Sequence, residues 1–350
     1  MLSQEIMRLV LSAVLLIALL TCMFLYLVIK KVIEIRQEKQ IQKYMGNIHG
    51  TIYAYLNQEK KSRHLVPDSG IKFKAIERLL TDYSTVVEGE GKERITHLAD
   101  ELFKIRYKEV LRQNKWSSRM NVLYKIDGFR MTALTVELKQ MIASKKVTKE
   151  EKLIIFRCLA NINDADLPQL FQTILVPFSV LEYRSVLNRM DELSFGKAVD
   201  DYQLYPDRLK LAIIDMIGIQ KKLDYVSFLE DLLGDESFEI RIRSMKAIGE
   251  VGFLSDSSVV ERFAQSSQWE ERLMAAKVIG KTRVQSGLDI LETLIRDSSW
   301  MVRAQAAKAF LSYTDGLERL YDIRFTSDDP FARDMASEWI ERGIEDGYSY

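Results

Sequence analysis

Asp297-Ser-Ser-Trp300-Met-Val-Arg303-Ala-Gln-Ala-Ala-Lys308-Ala-Phe310 is the stretch that decides how this chain folds. Its frame is Asp or Ser, an aromatic residue or Pro three positions on, and Arg three further. That frame occurs four times in the last third of the sequence: Asp235–Phe238–Arg241, Ser266–Trp269–Arg272, Asp297–Trp300–Arg303 and Ser327–Pro330–Arg333. Successive arginines are 31, 31 and 30 residues apart. A period of this size means stacked supersecondary units. Such a stack presents a long surface rather than a closed pocket, so binding is the default expectation.

Each copy reads as two short helices. The Asp or Ser is expected at the N-cap, accepting one of the unpaired N–H groups of the first turn. The helix that follows carries one apolar or small stripe, as a helix with a single buried face requires. That stripe is Ile240, Ser244, Ala247 and Ile248; then Ala275, Val278 and Ile279; then Val302, Ala306, Ala309 and Phe310. Gly218, Gly249 and Gly280 repeat at 31-residue steps and are expected as left-handed C-caps. A second helix is read over Phe228–Leu233, Val259–Ala264 and Ile290–Ile295.

This pattern resembles the HEAT repeat, in the short bacterial form that begins Asp-x-x-Pro-x-Val-Arg and has an Ala-rich first helix. Asp297 to Ala309 is the best-matched copy, and the resemblance runs over about 205–343. It implies an all-α protein with a right-handed α-solenoid. Phe or Trp replaces the family's Pro in three copies. Fainter units lie upstream around Arg119, Lys152 and Arg184, with irregular spacing.

At 350 residues the chain is long enough to bury a substantial core. Fifty basic and fifty acidic residues leave no net charge, so no global nucleic-acid signature exists. Two cysteines, Cys22 and Cys158, cannot form a disulfide framework and suit a reducing compartment.

Leu9–Ile29 is 21 residues without a charge. As a helix it measures about 31 Å, the thickness of a bilayer's hydrocarbon core. A cleaved signal would need a basic start, a shorter apolar core and a small-residue cleavage site. Here Glu5 offsets Arg8, and Tyr26-Leu-Val-Ile-Lys30 offers no such site, so a retained transmembrane anchor fits better. Residues 30–63 hold eight Lys/Arg against three Glu: Lys30, Lys31, Arg36 and Lys39 flank the span, followed by Lys43, Lys60, Lys61 and Arg63. Positive flanks stay cytoplasmic, which places the long C-terminal part in the cytoplasm and the N-terminus outside. The same cations can meet anionic headgroups.

Beyond the span, Ile41, Tyr44, Ile48, Thr51 and Tyr55 recur at a/d spacing, either as a short coiled-coil seam or, as we favour, as packing onto the first hairpin. His64 to Gly70 breaks the helix, helices are expected at 71–87 and 92–113, and Phe195-Gly196 through Pro206 reads as a loop. The domain reading is an anchor at 1–30, a membrane-proximal helical region at 31–115, irregular HEAT-like hairpins at 116–204, regular repeats at 205–343 and a tail at 344–350.

His49, His64 and His97 lack a second ligand at metal-site spacing, and no phosphate-loop, dinucleotide or nucleophile-elbow motif occurs. We therefore expect no enzyme activity, no metal and no cofactor. Arg241, Arg272, Arg303 and Arg333 read as a structural ladder along the stack, with a phosphate- or carboxylate-binding groove as the alternative. Phe238, Trp269 and Trp300 occupy one position in successive repeats. They either form an exposed binding stripe or plug gaps between repeats. Residues 297–350 carry eleven acids against six bases, an acidic distal end.

The reading that emerges is a membrane-anchored scaffold that binds proteins at the cytoplasmic face. A membrane-embedded enzyme such as a glycosyltransferase is a partner that the resemblance suggests. Two other classes compete: a HEAT-like chromophore lyase, disfavoured because the repeats hold no nucleophilic Cys or His, and a nucleic-acid-binding HEAT protein, disfavoured by the charge balance.

Overall fold

The computed structural model describes residues 2–58, 65–174 and 176–345. Lys60, Lys61, Arg63, His64 and the tail from Asp346 onward lie outside the described residues. Among the described residues there are eighteen α-helices and no strand. The chain forms two compact units, Met1–Ile162 and Asn163–Tyr350.

The first unit is built on α1 (Leu2–Gln58), a single helix of 57 residues. Its apolar stretch from Leu9 to Ile29 is exposed along its whole length. Burial begins only where the a/d pattern does, at Ile41, Ile48, Ile52, Tyr55 and Leu56. These side chains pack against α2 (Gly70–Ser84) and α3 (Glu90–Leu111), so the seam serves the hairpin. Gly89, at φ 59, makes the turn into α3. Phe73, Phe103, Tyr107 and Phe129 form an aromatic core with ring centroids 5.0–6.3 Å apart. The unit continues with α4 (Trp116–Phe129), α5 (Thr135–Ile142) and α6 (Lys149–Asn161). Cys158 on α6 is buried, its Sγ 3.6 Å from the Leu123 carbonyl oxygen.

The second unit alternates two layers. The first layer is α8 (Val180–Leu187), α10 (Asp207–Ile219), α12 (Phe238–Val251), α14 (Trp269–Thr282), α16 (Trp300–Phe310) and α18 (Pro330–Glu345), each touching the next. Between them run α9 (Glu192–Asp200), α11 (Val226–Asp231), α13 (Ser258–Ala264), α15 (Gly287–Leu294) and α17 (Gly316–Thr326), with α7 (Leu167–Thr173) before α8. Every member of the predicted first-helix stripe, from Ile240 to Phe310, is buried. This is an α-solenoid of helical hairpins.

Three local expectations are corrected. Phe195 to Pro206 is not a loop. Asp191 caps α9, accepting from the Ser194 N–H at 2.8 Å, and Gly196 sits inside that helix. The expected N-cap residues lie two positions too early, as described below. Gly218, Gly249 and Gly280 do not take left-handed caps, for they lie within α10, α12 and α14. The left-handed positions fall three residues later, at Lys221, Gly252 and Arg283, with φ of 52°, 81° and 52°. The glycines instead let neighbouring helices close up. A Cβ on Gly218 would stand 2.8 Å from the Ala247 Cα, and one on Gly280 would stand 2.9 Å from the Ala309 Cβ. At Gly249 the nearest atom, on Val278, is 3.5 Å away.

These distances separate three otherwise equivalent substitutions. Gly218→Ala and Gly280→Ala should lower the melting temperature, each costing about 1–3 kcal/mol through overpacking against the next helix. Gly249→Ala meets ordinary contact and gains about 1 kcal/mol of helix propensity, so its melting temperature should hold or rise. Thermal unfolding of the three single variants checks the ordering.

Candidate functional site

The motif closes on itself identically in all four copies. Its first residue accepts from the N–H two positions on. Asp235 Oδ1 takes the Ser237 N–H at 2.8 Å, Ser266 Oγ the Gln268 N–H at 3.1 Å, Asp297 Oδ1 the Ser299 N–H at 2.8 Å and Ser327 Oγ the Asp329 N–H at 3.3 Å. This is an Asx- or Ser-turn that precedes the helix rather than a cap within it. The helix then starts at the motif's third-on residue, so Phe238, Trp269, Trp300 and Pro330 are the first residues of α12, α14, α16 and α18.

Each motif arginine reaches back over that turn. Nη1 of Arg241, Arg272, Arg303 and Arg333 donates to the carbonyl of Asp235, Ser266, Asp297 and Ser327 at 2.7–2.8 Å. The guanidinium thus satisfies a turn carbonyl and leaves Nε for the next repeat. Arg241 Nε donates to Glu271 at 2.8 Å, and Arg272 pairs with Asp297 in two bonds of 2.5 and 2.9 Å. The acid differs because the first motif residue differs. Asp297 supplies the carboxylate itself, whereas Ser266 donates at 2.5 Å to Glu271, which supplies it instead. In the last repeat the first residue is Ser327 and Ala332 stands where Glu271 did. Arg303 Nε is accordingly buried without a partner, and its guanidinium lies 5.1 Å from the Phe331 ring.

Asp297 shows the electrostatic outcome. Burial raises its pKa, but the Arg272 guanidinium and the Ser299 N–H outweigh it and hold the carboxyl below its ordinary value. The Arg272 pKa is raised, first by its hydrogen bond to Asp297.

The aromatics at the helix starts point outward. Phe238 and Trp269 are 40% exposed and Trp300 57%, with Met301 and Phe331 exposed beside them. They form a row along the edge where α12, α14 and α16 begin. The gap-filling alternative needs buried rings, which these are not. A related residue escaped the sequence reading. Trp116 is the first residue of α4, is 47% exposed, and precedes Arg119 by the motif's spacing. Arg119 Nη1 donates to the Gln113 carbonyl at 2.8 Å and its Nε to Glu151 at 2.6 Å, the same clamp and rung. The signal was present as Trp116-Ser-Ser-Arg119, hidden because Gln113 replaces the Asp or Ser.

On α1, the flanking cations Lys30, Lys31, Arg36 and Lys39 are all exposed, with Lys31 Nζ 3.8 Å from Glu34. His49 Nε2 lies 2.9 Å from the Tyr83 hydroxyl, and His97 is exposed on α3.

Two predictions follow from the broken rung and the intact one. Ser327→Asp should give Arg303 Nε a carboxylate in the position Asp297 holds for Arg272, raising stability by roughly 0.5–1 kcal/mol. An unchanged or lowered melting temperature would refute that account of the ladder. Asp297→Asn should cost about 1–3 kcal/mol at neutral pH by unpairing Arg272. Because the folded-state pKa of Asp297 is depressed, its contribution is present above the unfolded value of about 3.8 and vanishes as pH falls through and below it. The melting-temperature gap between wild type and Asp297→Asn should therefore narrow on acidification.

A family model for HEAT repeats matches residues 257–338. No curated protein matches. Among solved structures, an engineered protein is 15% identical over 61% of this chain and 97% of its own, with a TM-score of 0.33. A chain from a structure of Kap95p with RanGDP is 12% identical, with 88% of this chain and 52% of that one covered and a TM-score of 0.45. Human deoxyhypusine hydroxylase is 13% identical over 87% of this chain and 98% of its own, at a TM-score of 0.28. This chain spans about half the length of the one from the Kap95p structure. Residues 257–338 therefore carry HEAT repeats, and the four-fold repetition of the turn, the clamp and the helix start extends the same pattern from Asp235 to Arg333.

Proposed function

We propose that this protein is a membrane-anchored scaffold that holds protein partners at the cytoplasmic face of a membrane and catalyses no reaction itself. The observation that carries this reading is α1. Among the described residues one helix is long and apolar enough to cross a bilayer, its apolar stretch is exposed throughout, and it runs without a break into a folded helical unit. An exposed run of this length in water would cost far more than its neighbours could offset, whereas a bilayer accommodates it. The cations after the span orient the chain with its solenoid in the cytoplasm. HEAT surfaces mediate protein contacts, and the aromatic edge of Phe238, Trp269 and Trp300 supplies anchors of the type that dominate interfaces. A membrane-embedded biosynthetic enzyme such as a glycosyltransferase is the partner we favour, because the anchor confines the solenoid to the bilayer surface where such an enzyme exposes its cytoplasmic part.

Crosslinking of the full-length protein in its native membrane, followed by identification of what is bound, tests the reading. The double variant Trp269→Ala/Trp300→Ala should lose the crosslinked partner at an unchanged melting temperature. Full crosslinking by the variant would remove the aromatic edge from the interface. Protease added to intact cells should leave the solenoid whole and should degrade it after permeabilisation. Cleavage in intact cells would reverse the orientation.

A further inference from the structure

We propose that a second surface of the HEAT unit, separate from the aromatic edge, docks an extended acidic peptide segment, one carboxylate to each of α12, α14 and α16. Lys246 on α12, Lys277 on α14 and Lys308 on α16 hold the same position in three successive repeats, at the 31-residue step. Trp339 on α18 continues the row at that step. Lys246 and Lys308 are exposed and Lys277 is half-buried. The row lies roughly two turns, about 12 Å, along the helices from the aromatic starts, so the two surfaces are distinct.

The row ends in a hollow on either side. One, of about 300 Å³, is lined by Lys277, Lys281, Lys308 and Trp339 among others. The other, of about 310 Å³, is lined by Arg184, Lys221, Arg243 and Lys246 with Asp215 and Glu250. The acids here are already engaged. Asp215 accepts from Arg243 at 2.8 Å and lies 3.8 Å from Arg184, and Glu250 lies 3.5 Å from Lys277. Glu338 is paired with Arg342 at 2.6 Å. Lys277 thus shares its charge with Glu250, while Lys246 and Lys308 form no ion pair among the described residues, so cations remain in excess on a face of a unit whose last 54 residues, 297–350, carry an acidic surplus. At the far end Lys308 Nζ stands 6.0 Å and the Arg342 guanidinium 5.1 Å from the Trp339 ring, holding that ring as a half-buried platform.

Spacing identifies the ligand. Packed helices stand about 8–10 Å apart, so the lysines recur at about that interval. A polyproline II strand advances about 9 Å per three-residue turn and returns the same face each turn. A segment with an acid at every third position therefore meets one lysine per turn, and a proline or apolar residue after the last acid reaches the Trp339 ring. A long nucleic acid would also have to cross the acidic distal residues. A bilayer surface would call for cations spread over a plane, whereas these form a line.

Full-length protein in nanodiscs, titrated with a fluorescent peptide repeating Glu-Pro-Pro, tests this. Binding should weaken with salt. The triple variant Lys246→Gln/Lys277→Gln/Lys308→Gln should bind roughly tenfold more weakly or worse, as expected for the loss of two exposed ion pairs and a half-buried one. The triple Lys→Arg variant should retain binding, which separates charge from folding. A peptide of the same composition with its glutamates clustered at one end should bind more weakly. Equal binding by the Gln variant, or by the clustered peptide, would overturn the proposal. So would displacement of the probe by single-stranded DNA or phosphatidylserine vesicles more effectively than by unlabelled peptide at equal charge. The lysine variants leave the aromatic edge unaltered, so this surface and the scaffold reading fail separately.

Discussion

The bond from each motif arginine to the carbonyl six residues behind it is the constraint on which the repeats depend. It ties the turn before a helix to the helix's own first turn and so fixes the angle at which the chain enters each repeat. It also partitions the guanidinium. Nη1 is spent within the repeat, and Nε faces forward to the next one. A planar fork with fixed donor directions does this, and a lysine ammonium could not. The forward rung then needs a carboxylate, and the two intact rungs in this unit obtain it differently, from Asp297 directly and from Glu271 by way of Ser266. The clamp is invariant and the rung is negotiable, which is why the last junction can replace its acid with the Phe331 ring.

The same clamp explains the exposed aromatics. Once the turn and arginine are fixed, the first helical residue is held at the outer rim of the repeat, with its side chain outside the layer. Proline suits that position because its absent N–H would have had no partner and its φ is preset. Phe and Trp have neither property, so at Phe238, Trp269 and Trp300 the chain forgoes a local preference. Their exposure shows that packing is not what they gain.

Much of the solenoid was legible because periodicity needs no geometry to be seen. The buried stripe of α12, α14 and α16 follows from spacing alone. What spacing could not supply was the meaning of a residue type. Asp297 and Ser266 are good caps by composition, yet they act two residues before the N-cap, because the arginine clamp requires a turn there. Gly218 and Gly280 have the period of a C-cap, but their purpose is set by the Ala of the next helix, a contact no local sequence displays. Phe195–Pro206 is not a loop because Asp191 caps α9 and the helix continues through Gly196. Trp116 was lost for the opposite reason: the spacing was there, but Gln113 at the head of the motif concealed it.

The two candidate surfaces also follow from one property of the stacked helices. Their N-terminal ends carry partial positive charge and their C-terminal ends partial negative charge. Glu239, Glu270 and Glu271 occupy first turns, and Lys281, Lys308 and Arg342 occupy last turns. Each sign of charge stands where the backbone stabilises it. Lys308 at the end of its helix therefore demands little compensation elsewhere in the fold, and neither do the acids beside Phe238 and Trp269. Parallel stacking repeats the backbone asymmetry in every unit; α14 carries both signs of charge where that asymmetry favours them, while α12 carries only the acid and α16 only the base. The aromatic starts and the lysine row are thus two different edges of one stack of helices, and neither depends on a closed pocket.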